Sequence, residues 1–209
     1  MYAIHYTKWG DRCQFLAPSY TIRILLLTLT YMLINFKIYS IMSHETSSLL
    51  SLTELPAPSV IMMAGVPGSG KSYLAEQLGE LLDMPVISSD ACREELSGDA
   101  NDQSVSRQAW ELVYHKAEMA IHDGTSVIID GTHKSPEQRR NDIRRYRDFG
   151  AHTVAAVHVM TSLHTALTRN AARERVVPDA VIQHMHDMLT QTPPEERDGF
   201  DFVVRLYNE

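Results

Sequence analysis

The sequence predicts an α/β domain: a parallel sheet with helices on both faces. Three observations lead there. The apolar run VIMMA (Val60 to Ala64) passes through the glycine-rich turn GVPGSGKS directly into a helical pattern. From Val60 onward, short apolar runs alternate with amphipathic stretches, as parallel strands joined by crossover helices require. No repeat or low-complexity segment interrupts this alternation across a 209-residue chain, which has room for one domain with a full core.

VIMMA is the first strand. Ser72 to Leu82 reads as a helix with Leu74, Leu78, Leu81 and Leu82 on one face. MPVISS (Met84 to Ser89) is the second strand, followed by a short helix over Ala91 to Leu96 and the loop GDANDQ. Ser104 to His122 is a long helix, since Val105, Ala109, Leu112, Val113, Ala117, Ala120 and Ile121 recur at helical spacing. TSVIID (Thr125 to Asp130) is the third strand. In the next helix Ser135 is the N-cap, Pro136 takes the first helical position, Gln138 completes a capping box, and Gly150 stops it. TVAAVHVM (Thr153 to Met160) is the fourth strand. Helices over Ser162 to Arg173 and Pro178 to Thr190 precede a fifth strand in FDFVVRLY, which starts at Phe200.

The turn after the first strand carries the most chemistry. Gly65-Val66-Pro67-Gly68-Ser69-Gly70-Lys71-Ser72 fits G-x-x-x-x-G-K-[ST], the Walker A pattern. Its glycines let backbone N–H groups converge on one anion, and the following helix N-terminus adds unpaired donors and a partial positive charge. Lys71 is placed for the β- and γ-phosphates and Ser72 for Mg²⁺. The expected ligand is a nucleoside triphosphate, ATP with Mg²⁺.

Composition narrows the partners. Of the 19 basic and 26 acidic residues, residues 1–42 hold four and one, which leaves residues 43–209 with 15 against 25. An acidic body argues against a protein that coats nucleic acid, because such affinity comes from neutralising many phosphates. It leaves room for an enzyme that grips one strand end through a few arginines. Cys13 and Cys92 give no disulfide framework and suit a reducing cytoplasm. ILLLTLTYMLINF (Ile24 to Phe36) is shorter than the roughly 20 residues of a membrane span. Residues 1–58 are read as an N-terminal extension, disordered or a start-site artefact with Met42 as an alternative start, and 59–209 as the domain. No membrane contact and no stable protein partner are expected.

Three further places bear on what accepts the phosphate. Asp90, in SSDACREEL, follows the second strand at its carboxyl end, where open α/β sheets bind ligands. It could take a proton from an attacking hydroxyl, with Arg93 three residues on sharing its helix face. The residues alone equally allow an N-cap aspartate beside a solvated arginine. Asp130 ends the third strand, the place of a Walker B carboxylate beside Mg²⁺. The DGT of VIIDGTH also resembles part of a haloacid-type phosphatase motif, but Ile128 stands at the nucleophile position and excludes that chemistry. In LTRNAARERVVP, Arg169, Arg173 and Arg175 suit a lid over the transferring phosphate, or else a solvated basic face. The five arginines of RRNDIRRYR (Arg139 to Arg147) read as the wet face of a capped helix. His184 and His186, two apart on a helix, do not converge on a metal.

Taken together, GVPGSGKS, SSDACREELSGDANDQ, VIIDGTH, TRNAARERVVP and DGFDFVVRL resemble the P-loop polynucleotide 5′-kinases of phages and bacterial RNA-repair systems, over about Ser59 to Leu206. The resemblance implies a P-loop NTPase fold with strand order 2-3-1-4-5. It implies transfer of the γ-phosphate of ATP, with Mg²⁺, to the 5′-OH end of RNA or DNA. By it Asp90 is the general base and Arg93 lies near the acceptor phosphate. Lys71 and Ser72 hold the donor, and Arg169, Arg173 and Arg175 belong to the lid. His133 stands where the family often has asparagine, and Tyr73 replaces the usual threonine. Two other readings use the same turn: a P-loop kinase for a sugar, antibiotic or nucleotide-sugar, and an ATP-hydrolysing switch or binding module. The absence of an N-K-x-D run disfavours a GTPase switch.

Overall fold

The structure, a computed structural model, describes Leu49, residues 51–173 and residues 175–209. The apolar run Ile24 to Phe36 and the alternative start at Met42 lie outside the described residues.

The first strand, β1 (Ser59–Ala64), is the centre of the molecule, and all six of its residues are buried. Burial on both faces is why its sequence reads as an unbroken apolar run instead of alternating. It pairs in parallel with β3 (Val127–Asp130) on one side and β4 (Thr153–Met160) on the other. Adding β2 (Val86–Ser88) beyond β3 and β5 (Phe202–Tyr207) beyond β4 gives a five-stranded all-parallel sheet of order β2-β3-β1-β4-β5. This is the expected order.

Helices α1 (Lys71–Leu82), α2 (Ser89–Ser97), α3 (Ser106–His122), α4 (Pro136–Asp148), α5 (Leu163–Ala171) and α6 (Asp179–Gln191) make the crossovers. On α3 the buried side chains are Ala109, Val113, Ala117 and Ile121, a stripe at helical spacing that packs with Val60, Met62, Val127 and Ile129. The face of α1 differs from the expected leucine row. Ala75, Leu78 and Gly79 are buried there, whereas Leu74, Leu81 and Leu82 are only half-buried. Small residues face the sheet because the backbones approach closely: a Cβ on Gly79 would come within 2.7 Å of Val86 Cγ2.

Packing also starts before the expected boundary at residue 59. Leu49 and Leu52 are buried, the latter in a 3₁₀ turn over Ser51–Glu54, and the Pro58 carbonyl accepts a hydrogen bond from His152 N.

The arginine-rich helix α4 corrects the reading of a wet face. Its N-terminus has the expected cap and proline: Ser135 Oγ accepts from Gln138 N, with Pro136 in the first turn. But Arg139 is fully buried, along with Asp142, Ile143 and Tyr146. Its Nε donates to Asp198 Oδ2 (2.7 Å), Nη1 to His133 O (3.1 Å) and Nη2 to Thr192 O (2.9 Å). A guanidinium whose donors all meet fixed acceptors can be buried where an unpaired one could not. Arg140 also reaches Asp198 (3.5 Å), Arg145 lies 4.0 Å from the Tyr114 ring centroid and Arg147 pairs with Asp201, so four of the five arginines join α4 to its surroundings.

Candidate active site

The carboxyl ends of β1, β3 and β2 open into one cleft of about 600 Å³. Each strand brings its functional residue to this edge at its end or just beyond it.

After β1 the backbone turns through Gly65 to Gly70 into α1. Gly68 (φ 85°) and Gly70 (φ 87°) sit in the left-handed region, which glycine adopts without strain. Space excludes anything larger: a Cβ on Gly68 would strike the Ala166 carbonyl, and one on Gly70 the Asn208 amide. Gly70 is the N-cap of α1, so Lys71 and Ser72 open the helix with their N–H groups unpaired. Pro67 and Lys71 line the cleft.

Asp130 closes β3. It is only 7% exposed and its Oδ1 has no hydrogen-bond partner. A buried carboxylate oxygen without a partner costs stability unless something cationic fills the place. A hard divalent cation beside Asp130 would meet that requirement. The register pairs Ser88 of β2 with Asp130 of β3, which brings Asp90 to the same edge two residues further on.

Asp90 is not the cap of its helix. Ser88 is, with its Oγ accepting from Asp90 N (3.3 Å) and Ala91 N (3.4 Å). The Asp90 carboxylate is therefore free for other work, and two guanidiniums hold it. Arg93 Nη1 donates to Oδ1 at 2.5 Å, and Arg175 Nη1 pairs with Oδ2 from 85 residues away. Burial alone would push the Asp90 carboxyl up. The hydrogen bond from Arg93 and the charges of Arg175, Arg93 and Lys71 outweigh it and keep the carboxyl below its ordinary range. Arg93 is itself buried and bonded to Ala100 O (3.1 Å), so its place is fixed.

The three lid arginines separate. Arg173 and Arg175 line the cleft. Arg169 does not: its Nη1 donates to Asn208 O (3.0 Å), and Asn208 Nδ2 in turn donates to Ser69 O (2.8 Å). Arg169 thus touches the phosphate turn through a residue beyond β5, which no sequence signal marked.

The remaining wall is polar and aromatic, with Asn101, Gln103, Ser106, Trp110, Lys134 and Gln138. His133 stands behind it, 1% exposed and in the left-handed region (φ 43°). Its Nδ1 lies 2.5 Å from Met63 O and its Nε2 3.8 Å from Asp142 Oδ2, so it ties the loop after β3 to β1 and α4. Tyr114 Oη donates to the other Asp142 oxygen (2.6 Å). Burial pushes the Asp142 carboxyl up, against the pull of His133 and Tyr114. His186 faces the Thr161 carbonyl at 3.3 Å. Among the described residues the cleft holds five cations, Lys71, Arg93, Lys134, Arg173 and Arg175, against the carboxylates Asp90 and Asp130. A polyanion is favoured there, although the whole chain carries −7.

A profile of the AAA domain family matches residues 60–192. The chain belongs to that family. Its fold is that of P-loop kinases. Similar solved structures are a protein of the Pnkp1/Rnl/Hen1 RNA repair complex (21% identical, 70% of this chain and 47% of that one, TM-score 0.59) and a protein from Chloroflexus aurantiacus (19%, 72% and 88%, TM-score 0.57). A sugar kinase from Janibacter is a third (19%, 73% and 86%, TM-score 0.51). Among curated proteins, the uncharacterized protein Rv2004c of Mycobacterium tuberculosis is 35% identical over 91 residues, 37% of this chain. The match spans 18% of that relative's length. No helix among the described residues is long and apolar enough to cross a membrane.

Proposed function

We propose that this AAA domain is an ATP-dependent phosphotransferase that phosphorylates a 5′-hydroxyl end of RNA or DNA. The observation that carries the reading is the meeting, in one cation-rich cleft, of Lys71 at the phosphate turn and an uncapped Asp90 braced by Arg93. An ATP-driven switch gives a carboxylate at the end of β2 no task beyond capping, and Ser88 already does the capping. The resemblance of SSDACREELSGDANDQ to RNA-repair kinases favours a nucleic-acid acceptor over a sugar.

When bound, ATP with Mg²⁺ supplies the γ-phosphoryl group, which leaves its β–γ bridging oxygen for the acceptor oxygen. The residues of the chain do the rest. Gly65, Val66, Pro67, Gly68, Ser69 and Gly70 enclose the donor phosphates, and Ser72 with Asp130 holds the metal. Lys71, Arg173 and Arg175 offset charge on the donor side, while Arg169 braces the phosphate turn through Asn208. Asp90 orients the acceptor hydroxyl and takes its proton, while Arg93 fixes the carboxylate and meets the acceptor's phosphate. The polar wall from Asn101 to Gln138 gives room for a strand end.

The test is transfer from γ-labelled ATP to a 5′-OH oligonucleotide beside a panel of sugars and nucleosides. Label on the oligonucleotide is expected, falling by roughly two or more orders of magnitude in Asp90→Asn. Label on a sugar alone, or full transfer by Asp90→Asn at saturating acceptor, would overturn the proposal.

A further inference from the structure

The segment between α5 and α6 is closed by a side-chain clamp. Asn170 is fully buried, and its side chain clamps the far end of the loop: Nδ2 donates to Val177 O (2.8 Å) and Oδ1 accepts from Val177 N (3.1 Å). Arg173 and Arg175 ride on the short loop this clamp closes. Val176 beside them is 57% exposed. What holds Arg175 across the cleft is its ion pair with Asp90 Oδ2. Arg93 takes the other oxygen, so in this state both oxygens of the carboxylate are engaged by guanidiniums.

The two arginines differ in what could displace them. Arg93 is buried on the same helix as Asp90 and has a second acceptor in the Ala100 carbonyl. Arg175 belongs to another element, and the Asp90 side chain it meets is 46% exposed. The pair is open to solvent on the Asp90 side, although Arg175 itself is only 21% exposed, and an ion pair that water reaches contributes little. A bound triphosphate carries several negative charges beside Lys71, in the same cleft, and competes for Arg175 against one carboxylate already shared with Arg93.

We propose that Arg175 is a latch on Asp90: it covers the carboxylate while the donor site is empty, and a donor triphosphate in the Gly65 to Ser72 turn draws it off, so that the base is uncovered only after the donor has bound. This rests on the reading of Asp90 as the base. The latch makes donor binding precede productive acceptor binding.

The experiment is a double-mutant cycle on donor affinity, which needs no acceptor. Binding of a non-hydrolysable ATP analogue with Mg²⁺ is measured by calorimetry for the full chain and for Asp90→Asn, Arg175→Gln and the double variant. A latch competes with the donor, so Asp90→Asn should tighten analogue binding about two- to fivefold, the range set by an ion pair that water reaches. In the Arg175→Gln background the same substitution should do clearly less, because only its general effect on cleft charge is left. Equal effects in both backgrounds, or no tightening in either, would overturn the latch. Hydrogen exchange over residues 172–176 in the ligand-free protein is the second measurement: it should quicken in Asp90→Asn, and unchanged exchange counts against the latch even if a variant is too unstable for calorimetry. Label transfer to a sugar would overturn the acceptor assignment and leave this result standing.

Discussion

Replacing Arg139 by methionine should destabilise the fold by about 3–5 kcal/mol, the cost of removing one partner from a buried ion pair. The figure follows from what the side chain leaves behind. Methionine replaces most of the apolar stem, so little packing is lost. Asp198, 6% exposed, keeps only Glu195 N at 3.4 Å and the Nη1 of the half-exposed Arg140 at 3.5 Å. The carbonyls of His133, Thr192 and Pro193 lose a donor each, and a buried orphaned acceptor costs roughly 1–3 kcal/mol where water cannot reach it. The measured loss should stay below the sum, because relaxation at Thr192 and Pro193, near the surface, lets water replace part of what is removed. The assay is urea unfolding followed by circular dichroism, with the slope checked for two-state behaviour. A second variant, Arg139→Met with Asp198→Leu, should recover part of the loss, since an apolar pair of similar volume leaves no buried charge unpaired. A loss under about 1 kcal/mol in the single variant, at unchanged slope, would refute the argument and return α4 to a solvated face.

Lys71→Ala should abolish transfer from γ-labelled ATP while leaving the thermal midpoint within a few degrees, because Lys71 acts on charge that develops during transfer and packs on nothing in the core; substantial residual transfer would undo the donor-site assignment. His158 should give the fold an acid-side instability. Burial, with the charges of Arg205 and Arg139, lowers it from 6.5 to about 4, so between those pH values the unfolded chain binds a proton that the folded chain refuses. Stability should therefore rise with pH through that window and fall as pH drops toward 4, by up to roughly 1.4 kcal/mol per pH unit; in His158→Leu, urea unfolding should show this slope reduced by one proton, and an unchanged slope would refute the assignment.

Much of the fold was legible because local signals agreed. VIMMA, VIID and TVAAVHVM are apolar on both faces, as only strands under two layers of helices are. The cap at Ser135 fell where hydroxyl and spacing indicated. The phosphate turn was legible because its glycines are required by backbone geometry and close approach, which leave a pattern in the sequence. What stayed hidden depends on partners distant along the chain. Nothing in RRNDIRRYR distinguishes Arg139 from its neighbours until Asp198, 59 residues on, is folded against it. Asn208 lies 139 residues from the Ser69 carbonyl it meets, and no motif carries such a contact. Asp90 was ambiguous for a different reason. Serine and aspartate both cap helices, and SSD offers three candidates in a row, so only the strand's exact end decides that Ser88 caps and Asp90 is released.

That release divides labour between two aspartates at the ends of adjacent strands. Asp130, buried with an oxygen that meets no donor, is costly as it stands and is relieved by a cation. Asp90, half-exposed, already has two guanidiniums on its oxygens, and a divalent cation brought to the same oxygens would meet their repulsion. On the proposed reading a metal is favoured at Asp130, and Asp90 is left for a neutral hydroxyl, which can approach a carboxylate flanked by cations without electrostatic cost. Lys71 and Asp90 line the same cleft, and the charge of Lys71 helps to hold the Asp90 carboxyl low. Such a cleft would separate donor, metal and acceptor by charge before any of them binds, and under the proposed latch Arg175 rests on Asp90 when no donor is present.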